Sequence, residues 1–164
     1  MESRVLPAYG GGSLVNLVAS LVEARGGPRR HPPAALLDPR ELAAARNVVL
    51  VIVDGLGDNY LMRQGNGGEL ARRRRGAITS VFPSTTASAI TTSYTGCTPL
   101  EHGITGWFTY FGESGYVAAP LPFRTRGDML PLREKGFRPE RAFTAKPIFE
   151  GMQARAIIVS SAEI

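Results

Sequence analysis

Asn47-Val-Val-Leu-Val-Ile-Val-Asp54-Gly55 is a run of six aliphatic residues that ends in a carboxylate and a glycine. Six such residues, four of them valine, leave no polar side for water, which is typical of a strand buried on both faces. Ligands of open α/β sheets bind beyond the carboxyl ends of the strands, so Asp54 is well placed to hold a cation. The run predicts an α/β fold with a central, mostly parallel sheet flanked by helices.

A second segment repeats the order of strand, turn and helix. Residues 77–82 predict a strand, and residues 86–95 predict a helix capped by Ser84, Thr85 or Thr86. The two motifs lie on successive predicted strand ends, which meet at one edge of a parallel sheet. Together they resemble half of a metal-dependent phosphate-ester site.

The sequence pattern divides the whole chain into two predicted regions. Residues 1–46 predict an N-terminal arm with an amphipathic helix and a proline-rich loop, and residues 47–164 predict part of an α/β domain. Within that domain, residues 107–123 predict a hairpin-like excursion and residues 156–160 a third buried strand. Only four residues follow this strand, so we expect a truncated fold.

The composition limits the classes of protein to which the chain can belong. The 164 residues are 43% hydrophobic and 20% charged, with a formal net charge of +5, which suits one globular domain. Cys97 is the single cysteine, so neither an internal disulfide nor a thiolate zinc site is available within the chain. No apolar run approaches the roughly 20 residues of a membrane span. We expect a cytoplasmic protein with no membrane partner.

Phosphate-ester hydrolysis needs a nucleophile and a means of lowering the pKa of that nucleophile. Thr86 supplies a hydroxyl at the predicted start of a helix, where backbone N–H groups attract a phosphate. Coordination to zinc would deprotonate this hydroxyl, and Asp54 would hold the metal. Purely structural roles are the alternatives: Asp54 as an ordinary turn residue after a strand, and residues 83–86 as a simple helix cap.

Four motifs in this order resemble one branch of the alkaline phosphatase superfamily. They are Val-Asp-Gly at 53–55, Phe-Pro-Ser-Thr-Thr at 82–86, Thr-Gly at 95–96 and Pro-Leu-Glu-His-Gly-Ile at 99–104. Their spacing is similar to that of the type I phosphodiesterase and nucleotide pyrophosphatase family, and the resemblance covers residues 47–123. It implies an alkaline phosphatase-like α/β fold, of which this chain would hold the N-terminal part.

The resemblance also implies a metal centre and a reaction mechanism. It makes Asp54 a zinc ligand and Thr86 both nucleophile and ligand, within a two-zinc centre that hydrolyses phosphodiester or pyrophosphate bonds through a threonine phospho-enzyme. Many members have an asparagine three residues after the nucleophile, where this chain has Ala89. The remaining Asp and His ligands of the family are absent from this chain, and zinc takes about four ligands. We therefore expect the isolated chain to be inactive.

The sequence leaves other functions open. The same metal centre serves phosphomonoesterases, sulfatases and phosphonate hydrolases of the superfamily. A non-catalytic basic domain could instead use the arginines of residues 72–75, although a solvated loop face is the simpler interpretation. We expect a small phosphate-ester substrate, with nucleotides among the candidates, and no specific nucleic acid, while the oligomeric state stays open. His102 is expected to be structural rather than a metal ligand.

Overall fold

The computed structural model describes residues 5–160, which form short helices around a small sheet. The helices are α1 Leu14–Ala24, α2 Pro39–Ala43, α3 Asp58–Gln64, α4 Glu69–Arg72, α5 Thr86–Thr95, α6 Pro99–His102 and α7 Pro139–Ala142. The strands are β1 Thr109–Phe111, β2 Tyr116–Ala119 and β3 Arg124–Thr125, and a 3-10 helix spans Ile148–Gly151. Within residues 5–160, no helix has the length and apolar character needed to cross a membrane.

The sheet is antiparallel, with the strand order β1-β2-β3. Tyr110 of β1 lies opposite Val117 of β2, and Ala118 of β2 lies opposite Thr125 of β3. The predicted hairpin-like excursion is therefore confirmed, and β3 extends it by one strand. Such a meander needs only short connections, because each strand pairs with its neighbour along the chain.

Phenylalanine rings join the sheet to the rest of the core. Phe137 contacts Phe111 and Phe123, with ring centroids 5.8 Å and 6.1 Å apart, and Phe123 contacts Phe143 at 6.2 Å. Ala87, in the first turn of α5, belongs to the same buried cluster. The start of α5 is thus fixed against the sheet by apolar packing, which is the main source of stability in a small domain.

Helix α1 is the amphipathic helix that the sequence predicts. Its residues Val15, Val18, Ala19 and Val22 are buried, and the helix packs against α2 and α5. The N-terminal arm therefore contacts the helix that carries Thr86. The predicted boundary between residues 46 and 47 stays a prediction, and the outer ends of the two regions, residues 1–4 and 161–164, lie outside the described residues.

Asn16 is a fully buried amide at the centre of this arm. Its Oδ1 accepts hydrogen bonds from the backbone N–H of Ser13 at 3.0 Å and from the Ser13 hydroxyl at 2.6 Å. Its Nδ2 donates to the carbonyl oxygens of Tyr9 at 2.7 Å and Pro32 at 2.8 Å. All four hydrogen-bonding positions of the amide are satisfied, so Asn16 ties the start of α1 to two loops.

The predicted central parallel sheet is wrong for residues 5–160. Residues 47–53 form no regular secondary structure, and Val49, Val51 and Val53 are 81%, 72% and 57% exposed. Residues 156–160 also form no strand and are exposed. An apolar segment becomes a buried strand only when neighbouring strands pair with its backbone, and no described segment lies beside either of these two.

The predicted strand over residues 77–82 is reduced to a single parallel bridge. Thr79 pairs with Ser13, where Leu14 N–H donates to Thr79 O at 2.9 Å and Thr79 N–H donates to Gly12 O at 2.8 Å. Val81 is nevertheless buried. The start of α1, rather than a neighbouring strand, takes the role of partner and limits the pairing to one residue.

His102 is buried at the end of α6, as expected for a structural histidine. Its Nδ1 accepts from Ile104 N–H at 3.0 Å, and its Nε2 lies 3.2 Å from Thr92 Oγ1. Because the Thr92 hydroxyl donates to Cys97 O at 2.8 Å, the proton between the two side chains belongs to Nε2. Burial lowers the pKa of His102 below its ordinary value, which favours this neutral form.

We expect Asn16→Ala to lower the free energy of unfolding by on the order of 3 kcal/mol, because it leaves the carbonyls of Tyr9 and Pro32 and the N–H of Ser13 without a partner. Urea denaturation measures the change. Asn59→Ala, at an exposed position of α3, is the matched control and should change the stability little. Equal losses in the two variants would contradict the role of Asn16.

The lowered pKa of His102 also predicts a pH dependence of stability. The unfolded chain binds a proton at His102 more readily than the folded chain, so stability is lost as the pH falls below about 6.5. His102→Asn should flatten this dependence, since Asn keeps an acceptor near Ile104 N–H but does not titrate. The same slope in wild type and His102→Asn, from urea denaturation across this pH range, would refute the assignment.

Candidate active site

Asp54 lies in a tight turn at the end of the exposed apolar segment. The N–H of Leu56 donates to Val53 O at 3.2 Å, which closes a four-residue turn with Asp54 and Gly55 at its centre. Gly55 has a φ of 82°, a left-handed conformation that favours glycine at the third position of such a turn. The Asp-Gly pair thus fixes where the chain reverses, and the Asp54 carboxylate is left exposed.

Thr86 is the first residue of α5, and Thr85 is its cap. Thr85 Oγ1 accepts from Ser88 N–H at 3.3 Å and lies 3.0 Å from the Ser88 hydroxyl. Of the three capping candidates in the sequence, Thr85 therefore satisfies the helix. As a result, the Thr86 hydroxyl is not used for capping and is half-buried at the helix end.

The structure brings Asp54 and Thr86 together. Thr86 Oγ1 donates a hydrogen bond to Asp54 Oδ2 at 3.1 Å, across 32 residues of sequence. The two predicted site residues therefore meet, although the parallel sheet that was expected to align them is not formed. Their contact depends on the turn at Asp54 and on the start of α5.

The end of α5 adds backbone donors beside this pair. Within residues 5–160, the N–H groups of Thr86 and Ala87 have no acceptor, as expected for the first turn of a helix. These groups and the helix dipole place partial positive charge next to the Thr86 hydroxyl. An oxygen of a bound phosphate would find two hydrogen-bond donors there.

A metal ion would find only part of its ligands in this site. Asp54 and Thr86 offer oxygen atoms that already lie within hydrogen-bonding distance of each other, a donor set that suits a hard or borderline cation. Between residues 5 and 160 there is no cluster of three or more His, Cys, Asp or Glu side chains that could hold a metal. Ala89, one turn further along α5, adds no polar group. Asp54 and Thr86 could therefore supply two of the ligands of a metal centre.

Tyr9 is a supporting residue that the sequence reasoning missed. Its hydroxyl accepts from Phe82 N–H at 3.1 Å, directly before Pro83. The carbonyl of Tyr9 is in turn held by Asn16. The signal that could have found this link is the single amide side chain inside the apolar sequence of α1, since a polar residue is buried there only if its hydrogen bonds are satisfied.

The arginines of residues 72–75 are all paired with carboxylates of the chain. Arg72 and Arg73 contact Glu69, Arg74 contacts Asp58, and Arg75 contacts Glu41. All four lie within a surface network of ion pairs, which agrees with the expectation of a solvated loop face. The three carboxylates offset most of the charge of the four arginines, so the run gives little support to a basic nucleic-acid surface.

One of the three comparisons with known proteins, that with protein families, finds a match. Residues 48–129, half of the chain, match the family described as type I phosphodiesterase / nucleotide pyrophosphatase, and the match includes Asp54 and Thr86. The family comprises hydrolases of phosphate esters such as nucleotides, is generally metal-dependent and implies an alkaline phosphatase-like α/β fold. No curated protein and no solved structure matches the chain. On the extent of the family match, the chain belongs to the type I phosphodiesterase / nucleotide pyrophosphatase family.

Proposed function

We propose that this chain carries the nucleophile and part of the zinc centre of a hydrolase that cleaves phosphodiester or pyrophosphate bonds. The observation that carries the proposal is the 3.1 Å contact between Thr86 Oγ1 and Asp54 Oδ2 at the start of α5. A hydroxyl, a carboxylate and free backbone donors are the groups that phosphoryl transfer to a threonine requires. The family match supports hydrolysis of a phosphate ester.

In the proposed reaction Thr86 Oγ1 attacks phosphorus. Its proton already points at Asp54 Oδ2, which can accept it as the new oxygen–phosphorus bond forms. The bond from phosphorus to the leaving alcohol or phosphate breaks, and water later releases the phosphoryl group from Thr86. The N–H groups of Thr86 and Ala87 stabilise the negative charge that develops on the phosphoryl oxygens.

Zinc is the metal that we propose for this site. It would be held in part by Asp54 and Thr86, and when bound it would lower the pKa of the coordinated hydroxyl. Since zinc commonly takes about four ligands and two are present here, we expect turnover by the 164-residue chain alone to be slow. Activity assays should therefore be run with zinc added.

Thr86→Ala should reduce hydrolysis of bis(p-nitrophenyl) phosphate on the order of a thousandfold or more, because it removes the hydroxyl that contacts Asp54, while the neighbouring Thr85 hydroxyl caps α5. The matched control is Thr105→Ala, which removes an exposed threonine outside the site and should leave the rate unchanged. Mass spectrometry of the wild-type protein, quenched in acid with this substrate, should find a p-nitrophenyl phosphoryl group on the peptide that contains Thr86, because only one of the two nitrophenolates leaves in the first step. Full diesterase activity in Thr86→Ala would exclude the proposed nucleophile.

Asp54→Asn should lower both zinc occupancy and rate, because an amide is a weaker metal ligand than a carboxylate. Zinc content after dialysis, measured by atomic absorption, is compared with that of Glu113→Gln, an exposed carboxylate outside the site. A chelator should inactivate the wild-type protein, and added zinc should restore its activity. Unchanged zinc content in Asp54→Asn would rule out Asp54 as a ligand.

A further inference from the structure

A cleft of about 260 Å³ lies at the opposite end of α5 from Thr86. Its walls come from α1, from the loop after α1, from the last residues of α5 and from the 3-10 helix. A helix of ten residues is about 15 Å long, so a ligand in this cleft would not reach the Thr86 hydroxyl. The cleft is therefore separate from the candidate active site.

Positive charge dominates the rim of this cleft. Arg29, Arg30 and Lys146 line it together with one carboxylate, that of Glu150. Lys146 Nζ is 4.0 Å from that carboxylate, and the Lys146 side chain is 78% exposed, so this pair neutralises little of the charge. Arg29 Nη1 also donates to Glu23 Oε2 at 3.0 Å, so the three cations and the two carboxylates that they contact leave a formal charge of +1, which attracts an anion.

Arg30 and His31 are held in place before any ligand arrives. Arg30 Nη1 donates to the buried Cys97 Sγ at 3.0 Å, which fixes one edge of the guanidinium. His31, also in the cleft, has its Nε2 2.9 Å from Glu101 Oε2, and its side chain is 19% exposed rather than fully solvated. Preorganised donors lose less conformational entropy on binding.

The floor of the cleft is apolar. Ala19 and Val22 of α1 and Ile148 of the 3-10 helix contribute to it. Gly151 lets the two walls approach closely, since a Cβ atom there would lie 2.7 Å from Pro28 Cδ. A volume of 260 Å³ lies just below the range of about 300–1,000 Å³ for drug-sized ligands, so the occupant must be small.

From these features we infer that the cleft binds a small phosphate monoester through Arg29, Arg30 and Lys146, with the organic part of the ligand on the apolar floor. A monoester carries close to two negative charges at neutral pH, so its oxygens are attracted to the basic groups of the rim. Arginine presents a planar fork of donors that suits phosphate oxygens, and lysine adds a point charge. The site goes beyond the proposed hydrolase function and does not depend on it.

Calorimetric titration of the 164-residue chain with phenyl phosphate tests the inference. We expect one saturable site that weakens about tenfold in Arg30→Gln and several-fold in Lys146→Gln. Because Lys146 is highly exposed, its variant should stay folded even if the loss of the Arg30–Cys97 contact destabilises the protein. Glu150→Gln should tighten binding, because it removes the opposing charge from the rim.

Two controls separate this cleft from other sites. Arg133→Gln changes an exposed arginine elsewhere and should leave the affinity unchanged, as should Thr86→Ala at the candidate active site. The inference is overturned if titration shows no saturable binding, if Lys146→Gln binds phenyl phosphate as tightly as wild type, or if Thr86→Ala abolishes binding. In the last case the ligand occupies the hydrolase site instead.

Discussion

The hydrogen bonds of the Asn16 side chain are the constraint on which the arrangement of this chain depends. A buried amide is tolerated only when all its donors and acceptors are paired, so Asn16 fixes the start of α1 against the loops of Tyr9 and Pro32. Tyr9 then holds the backbone of Phe82 just before the turn into α5. Three short steps therefore connect the N-terminal arm to the candidate nucleophile. They run from Asn16 to Tyr9, from Tyr9 to Phe82, and from Phe82 through the turn to Thr86.

Helix α5 connects this arm to the sheet. Ala87 at its start packs in the phenylalanine cluster, and Thr92 near its end meets His102. Its cap, Thr85, leaves the neighbouring Thr86 hydroxyl available to Asp54. One ten-residue helix thus carries the candidate nucleophile at its first residue and borders the basic cleft at its last.

Sequence reasoning succeeded where the signals are local. The end of α5 at Gly96, with a φ of 67°, the hairpin around residues 112–115 and the apolar face of α1 all follow from features within a few residues of each other. It failed for residues 47–53 and 77–82, because strand formation depends on partners far along the chain. The choice of Thr85 as cap and the burial of Asn16 also required knowledge of the neighbouring loops.

For the candidate site, the pairing of Asp54 with Thr86 was anticipated although the predicted sheet was not formed. The Asp-Gly turn and the helix start are each specified by their own residues, so both survive without the sheet. The roles of nucleophile and metal ligand stay predictions. Tyr9 could not be found by motif, because its contact with Phe82 joins segments 73 residues apart.

The exposed apolar segment that leads to Asp54 has a thermodynamic consequence. Within residues 5–160, no backbone N–H of residues 47–53 donates to another backbone group, and the Asp54 carboxylate is joined to the body of the chain through Thr86. A ligand that bridges these two side chains would also hold the end of this segment against α5. Its measured affinity would then include the free energy of keeping the segment in that position, so changes in residues 47–53 would alter affinity without touching the ligand.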